Sequence, residues 1–207
     1  MTKMSDTSDD LLRLADVTLA VLAGGAGSRM GAPKGELRLR GRPILEHLLD
    51  RFNWPGPTLL VTAPGREHPP AWQRFDREVV DPVADQGPLR GVLTALESAS
   101  TEIVLITTVD MPGVTLQGLR WLATRLAGRA GTLGLMTRCR PDHPIEPFPS
   151  AYRRQALQLI AHRLVVNRSV QAVSEEPSIE VVAAPAEWPR SFWTNLNTPL
   201  DVHAYSL

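Results

Sequence analysis

A short apolar run, VTLAVL at 17–22, ends abruptly in a glycine-rich, cationic stretch, AGGAGSRMGAPKG at 23–35. An unbroken apolar run of this length, closed by glycine, reads as a strand buried on both faces.

The rest of the chain supports that reading. Leu45, Leu48, Leu49 and Phe52 follow the i, i+3, i+4, i+7 pattern, predicting a helix over 43–53 with Pro43 near its first turn. Thr58–Thr62 and Glu78–Val80 read as strands. Leu89, Val92, Leu93 and Leu96 predict a helix opened by Gly87 and Pro88. The β-branched EIVLITTV at 102–109 reads as a central strand. A helix over 115–127 and a strand over 132–137 follow. Three prolines in 144–152 confine any strand there to an edge or an irregular segment. Residues 155–166 read as helix, 179–183 as strand, and 198 onward as a terminal helix opened by Pro199. Strand and helix alternate through the first 137 residues, so the expectation is an α/β fold with a mostly parallel sheet and helices on both faces. One domain is expected over 16–207, preceded by a frayed polar tail over 1–15. The irregular second half is expected to cover one end of the sheet and supply a second substrate site.

Charge and composition exclude several function classes. Lysine plus arginine and aspartate plus glutamate each number 22, so there is no basic surplus of the kind a nucleic-acid binder needs. The single cysteine, Cys139, excludes an internal disulfide and a cysteine-based zinc site. The N-terminal segment is acidic where a secretion signal is basic, and no apolar run reaches the ~20 residues that span a bilayer. A cytoplasmic protein with no membrane or nucleic-acid partner is the expectation.

The glycine-rich stretch follows the first strand, where open α/β sheets form their ligand crevice. Gly24, Gly25 and Gly27 let backbone amides approach a phosphate chain closely. Arg29 and Lys34 add a fork-shaped and a compact cation, suited to a triphosphate. A P-loop would need Ser or Thr after the lysine, and here Gly35 follows Lys34. The dinucleotide spacing G-x-G-x-x-G fails by one place at Gly31. No acidic residue ends the second strand, which runs into Ala63 and Pro64.

The segment LAGGAGSRMGAPKGEL resembles the signature L-A-G-G-x-x-x-R-M-G-x-x-K of the molybdenum cofactor guanylyltransferases. Further blocks recur in that family's order: DPVADQGPLRGV at 81–92, VDMP at 109–112, HP at 143–144 and NLNTP at 195–199. The resemblance implies a single-domain Rossmann-like nucleotidyltransferase that moves GMP from GTP to molybdopterin and releases pyrophosphate. It implies Mg2+ as cofactor, and proteins that deliver or accept the molybdenum cofactor as further partners. It implies catalytic roles for Arg29, Lys34 and Asp110, with Asp110 as metal ligand. The nucleotide would be met by Leu22, Ala23, Gly24, Gly25, Lys34, Thr62, Asp81 and Asp110. The acceptor would be met by His143, Asn195 and Asn197.

Residue chemistry bears on these roles. Asp110 ends the 102–109 strand, where a carboxylate suits Mg2+, which takes one or two carboxylates with phosphate oxygens and waters. Asp81 either contacts ribose or base or opens a turn before Pro82. Arg90 either assists a substrate or is a solvated first-turn cation. Asn195 and Asn197 alternate on an extended segment, so both can face one side; capping before Pro199 is the other role open to Asn197 or Thr198. Gly24 would leave room for a purine where cytidylyl relatives carry alanine. His47, His162 and Cys139 read as structural, and Arg120, Arg125 and Arg129 as a solvated helix face. Three departures stand out: Pro33 replaces the aspartate usual before the loop lysine, Thr62 replaces an asparagine, and the segment after His143, PIEPFPSAYRR, carries extra prolines. Alternatives are CTP as donor, a sugar or polyol phosphate as acceptor, or a non-catalytic nucleotide binder.

Overall fold

The structure, a computed structural model, describes residues 12–25, 27 and 30–206. Residues 1–11, most of the expected tail, and Arg29 lie outside the described residues.

The strands are β1 Val17–Leu22, β2 Arg38–Leu39, β3 Arg42–Pro43, β4 Thr58–Thr62, β5 Arg77–Val80, β6 Ile103–Thr108, β7 Gly134–Arg138, β8 Ile145–Arg153 and β9 Ile179–Ala183. The α-helices are α1 Ile44–Phe52, α2 Pro88–Ser98, α3 Leu116–Ala127, α4 Leu157–Val166 and α5 Pro199–Ser206. Seven strands form one sheet in the order β5-β4-β1-β6-β8-β7-β9, and β2 and β3 make a separate hairpin. Pairing is parallel except where β8 runs antiparallel between β6 and β7.

Every residue of β1 and β4 is buried, and side chains alternate along a strand, so both faces of the sheet centre are covered. Helix α2 packs on β1, β4, β5, β6 and α4, while α3 packs on β6, β7 and β8. Their apolar stripes do this: Leu89, Val92, Leu93 and Leu96 on α2, and Leu119, Leu122 and Leu126 on α3, are all buried. The sequence expectation of a two-sided, mostly parallel sheet holds.

The segment 144–152 corrects the sequence reading. It is an interior strand, and the prolines are accommodated by a break in its ladder. Strand β7 pairs with Ala151 and Tyr152, then with Glu146 and Ile145, and the register shifts between. Strand β6 pairs only as far as Ser150. Pro147 and Pro149 therefore fall where no ladder hydrogen bond is asked of them.

One topological feature positions the site. From β1 the chain moves outward to β4 and β5, then returns to β6 on the other side of β1. The β1/β6 boundary is thus a switch point, outside whose C-terminal ends a crevice must open.

Candidate functional site

A cavity of about 750 Å³ fills that crevice. Its walls come from residues just after four neighbouring strands: Gly24 and Gly25 after β1, Ala63 to Arg66 after β4, Asp81 after β5, and Val109 and Asp110 after β6. Three strand spacings of about 4.8 Å give it a span of about 14 Å.

At the β6 end, Lys34 and Asp110 form an ion pair. The Lys34 ammonium also donates to Asn197 Oδ1 at 2.8 Å. Asp110 is buried, and its carbonyl accepts the Leu196 amide at 2.9 Å, which docks 195–197 against the end of β6. Gly113 permits that approach, since a Cβ there would meet the Ser191 carbonyl oxygen at 1.7 Å. Leu196 is buried between the two asparagines, Asn195 lines the cavity and Asn197 reaches Lys34. The capping role falls to Thr198: its hydroxyl accepts the Asp201 amide, and Asp201 accepts the Asn197 and Thr198 amides.

The glycine loop is shaped by Gly27. Its φ is +60°, its carbonyl accepts the Met30 and Gly31 amides, and a Cβ would lie 1.9 Å from the Ala32 carbonyl oxygen. No side chain fits there. Gly24 differs. A Cβ would sit 3.4 Å from the Ala63 nitrogen in ordinary contact, so a methyl would thicken the cavity wall without disturbing the fold. Leu22 lines the cavity, whereas Ala23 is buried behind it, with its amide given to Val61. The Leu22 carbonyl is likewise taken, by the Val109 amide.

At the β5 end, Asp81 Oδ1 accepts the Thr94 hydroxyl at 2.5 Å, and Thr94 accepts Arg90 Nε at 3.1 Å. Arg90 also pairs with Glu97. It is buried, which corrects the solvated alternative: Arg90, Thr94 and Glu97 share one helix face at i, i+4, i+7. Burial pushes the Asp81 carboxyl above the ordinary carboxylate value, while the Thr94 bond and the Arg90 charge pull it back.

Two expected residues stand apart. Thr62 is buried with its hydroxyl donated to Glu78 Oε1 at 2.8 Å, and it does not line the cavity. His143 is exposed on the β7–β8 connection, outside the cavity wall. Arg129 lies beyond α3 and pairs with Glu180, while Arg120 and Arg125 lie on that helix with exposed side chains. Arg66, which no sequence pattern singled out, lines the cavity and donates to the Gly25 carbonyl at 2.9 Å. Among the described residues, no group of three or more His, Cys, Asp or Glu could cage a metal, and no helix is long and apolar enough to cross a membrane.

Comparison with known proteins agrees with this architecture. The family described as the MobA-like NTP transferase domain matches residues 19–181. A molybdenum cofactor guanylyltransferase of Histophilus somni is 33% identical, over 91% of this chain and 95% of its own. A probable molybdenum cofactor guanylyltransferase of Carboxydothermus hydrogenoformans is 30% identical, over 91% and 94%. The crystal structure of molybdopterin-guanine dinucleotide biosynthesis protein A from Archaeoglobus fulgidus superposes with a TM-score of 0.71 at 26% identity, covering 91% of this chain and 96% of that one. With its nucleotide-sized crevice at the switch point and its sequence matched over most of its length, this chain belongs to the MobA-like NTP transferase family of nucleotidyltransferases.

Proposed function

We propose that the chain transfers GMP from GTP to the terminal phosphate of molybdopterin, giving molybdopterin guanine dinucleotide and pyrophosphate. The observation that carries this reading is the meeting of Lys34, Asp110 and Asn197 at one end of the cavity, in a chain whose relatives are guanylyltransferases of this cofactor.

An acceptor phosphate oxygen attacks the α-phosphorus of GTP in line. A new P–O bond forms as the bond to the β-phosphate oxygen breaks, and pyrophosphate leaves with the electron pair. The attacker is already anionic, so the protein need move no proton; its work is positioning and neutralising charge. Backbone amides of the glycine loop cradle the phosphates. Lys34, held by Asp110 and Asn197, offers its charge at the reacting end. Asp81, oriented by Thr94, accepts hydrogen bonds from the ribose or guanine at the other end. Asn195 and Asn197 face the acceptor side, where paired amide donors and acceptors suit a pterin or a phosphate.

The donor set fits Mg2+. One buried carboxylate at the crevice, with no cage of protein ligands among the described residues, suits an ion that takes most of its oxygens from phosphates and water. Asp110 would hold it, and when bound it supplies positive charge to the phosphates. Incubating the protein with Mg2+, each NTP separately and either molybdopterin or a sugar phosphate, and measuring pyrophosphate, tests the reading. Release with GTP is expected. Release with CTP alone would reassign the base, and release only with a sugar phosphate would reassign the acceptor.

A further inference from the structure

The described charged residues lining the cavity are Lys34, Arg66, Asp81, Asp85 and Asp110. The two cations differ in their commitments. The Lys34 ammonium is shared between Asp110 and Asn197. Arg66 is held by one bond to the Gly25 carbonyl, and among the described residues it meets no carboxylate. A guanidinium carries five N–H donors, so four remain for a ligand. Its charge is anchored without being neutralised.

The anchor also places it. Lys34 and Arg66 flank Gly25: the Lys34 chain passes 3.4 Å from where a Gly25 Cβ would stand, and Arg66 sits on the carbonyl. The loop carrying Arg66 is fixed in turn. Pro69 is buried against Gly35, within 3.0 Å of where a Cβ there would lie. His68 stacks on Trp72 with ring centres 4.3 Å apart and meets Glu78, the same carboxylate that holds Thr62. The loop that carries this cation is fixed before the ligand arrives, so less ordering entropy opposes binding.

We infer that Arg66 is a phosphate-binding residue of the nucleotide site, forking onto oxygens of the β- and γ-phosphates while Lys34 serves the reacting end. This rests on the nucleotide reading above. A guanidinium can equally fork onto O6 and N7 of guanine, and the test separates the two destinations.

Wild type, Arg66→Ala, Arg66→Gln and Arg66→Lys are titrated calorimetrically with guanosine, GMP, GDP and GTP in Mg2+ and without acceptor, after melting curves establish that each is folded. Losing a charge-assisted contact is expected to weaken GTP binding roughly 10- to 100-fold in the Ala and Gln variants. GDP should suffer less, and GMP and guanosine should bind as to wild type. Lysine should restore part of the loss, since it keeps the charge and lacks the fork. Equal weakening of all four ligands, or of none, overturns the assignment. Failure of wild type itself to bind GTP would instead overturn the nucleotide reading.

Discussion

Lys34 and Asn197 stand 163 positions apart in the chain, yet the ammonium of one donates to the amide oxygen of the other at 2.8 Å. The start and the end of the fold thus meet on one charge. Asn197→Ala should leave Lys34 held by Asp110 alone and lower turnover about tenfold, the scale of one hydrogen bond to a charged group. Thr198→Ala is the contrasting variant: it removes the α5 cap, should cost about 1 kcal/mol of stability, and should leave turnover unchanged. Pyrophosphate assays beside melting curves would read both.

Asp110→Asn keeps the shape of the buried side chain and removes its charge. Turnover should fall by roughly 10²–10³ while the fold persists, as expected on losing one preorganised stabiliser of transition-state charge. Near-normal Mg2+-dependent turnover would refute the role given to this carboxylate.

The Thr94 hydroxyl has one proton, and because Arg90 Nε donates to its oxygen that proton goes to Asp81. Thr94→Val should therefore raise KM for GTP about tenfold with kcat little changed. It also removes a bond that holds the Asp81 value down, so that value, already raised by burial, climbs further. Binding that needs the ionised carboxylate then fails at higher pH, and the acid limb of GTP affinity should move upward in the variant. The sign is reversed for folding: a raised carboxyl favours the protonated fold, a contribution present below the ordinary value and lost as pH rises through the raised one.

Two glycines of one loop should respond oppositely to the same substitution. Gly27→Ala forces a Cβ into the Ala32 carbonyl at a positive φ and should cost about 1–3 kcal/mol locally, with GTP binding lost. Gly24→Ala should fold normally, since its methyl rests in ordinary contact with Ala63. It should lower the ratio of GTP to CTP use; an unchanged ratio would place base selection elsewhere.

Most of the sheet was legible because its central strands are buried on both faces and are rich in apolar and β-branched residues, as at 17–22, 58–62 and 102–109. The β2–β3 hairpin escaped because two-residue strands show no periodicity, although Arg40 and Gly41 at its turn both take positive φ. The prolines of β8 misled because a sequence does not show where a ladder is interrupted. At the site, Lys34, Asp110 and Asn197 were legible as motif blocks. Thr62 stands off the cavity wall with its hydroxyl given to Glu78 on the adjacent strand, a pairing that no linear spacing reveals. Arg66 was overlooked because it sits in an irregular loop, and only the fold brings that loop to Gly25.

The bond from the Leu196 amide to the Asp110 carbonyl sets an order of construction. As the polypeptide emerges from the ribosome, all seven sheet strands are available once residue 183 is out, before Asn195 and Asn197 can reach their places. The nascent enzyme would therefore have its scaffold before its chemistry. A product truncated after β9 would hold all seven sheet strands, yet it would lack Phe192 and Leu196 from the core and leave Lys34 with Asp110 but never Asn197.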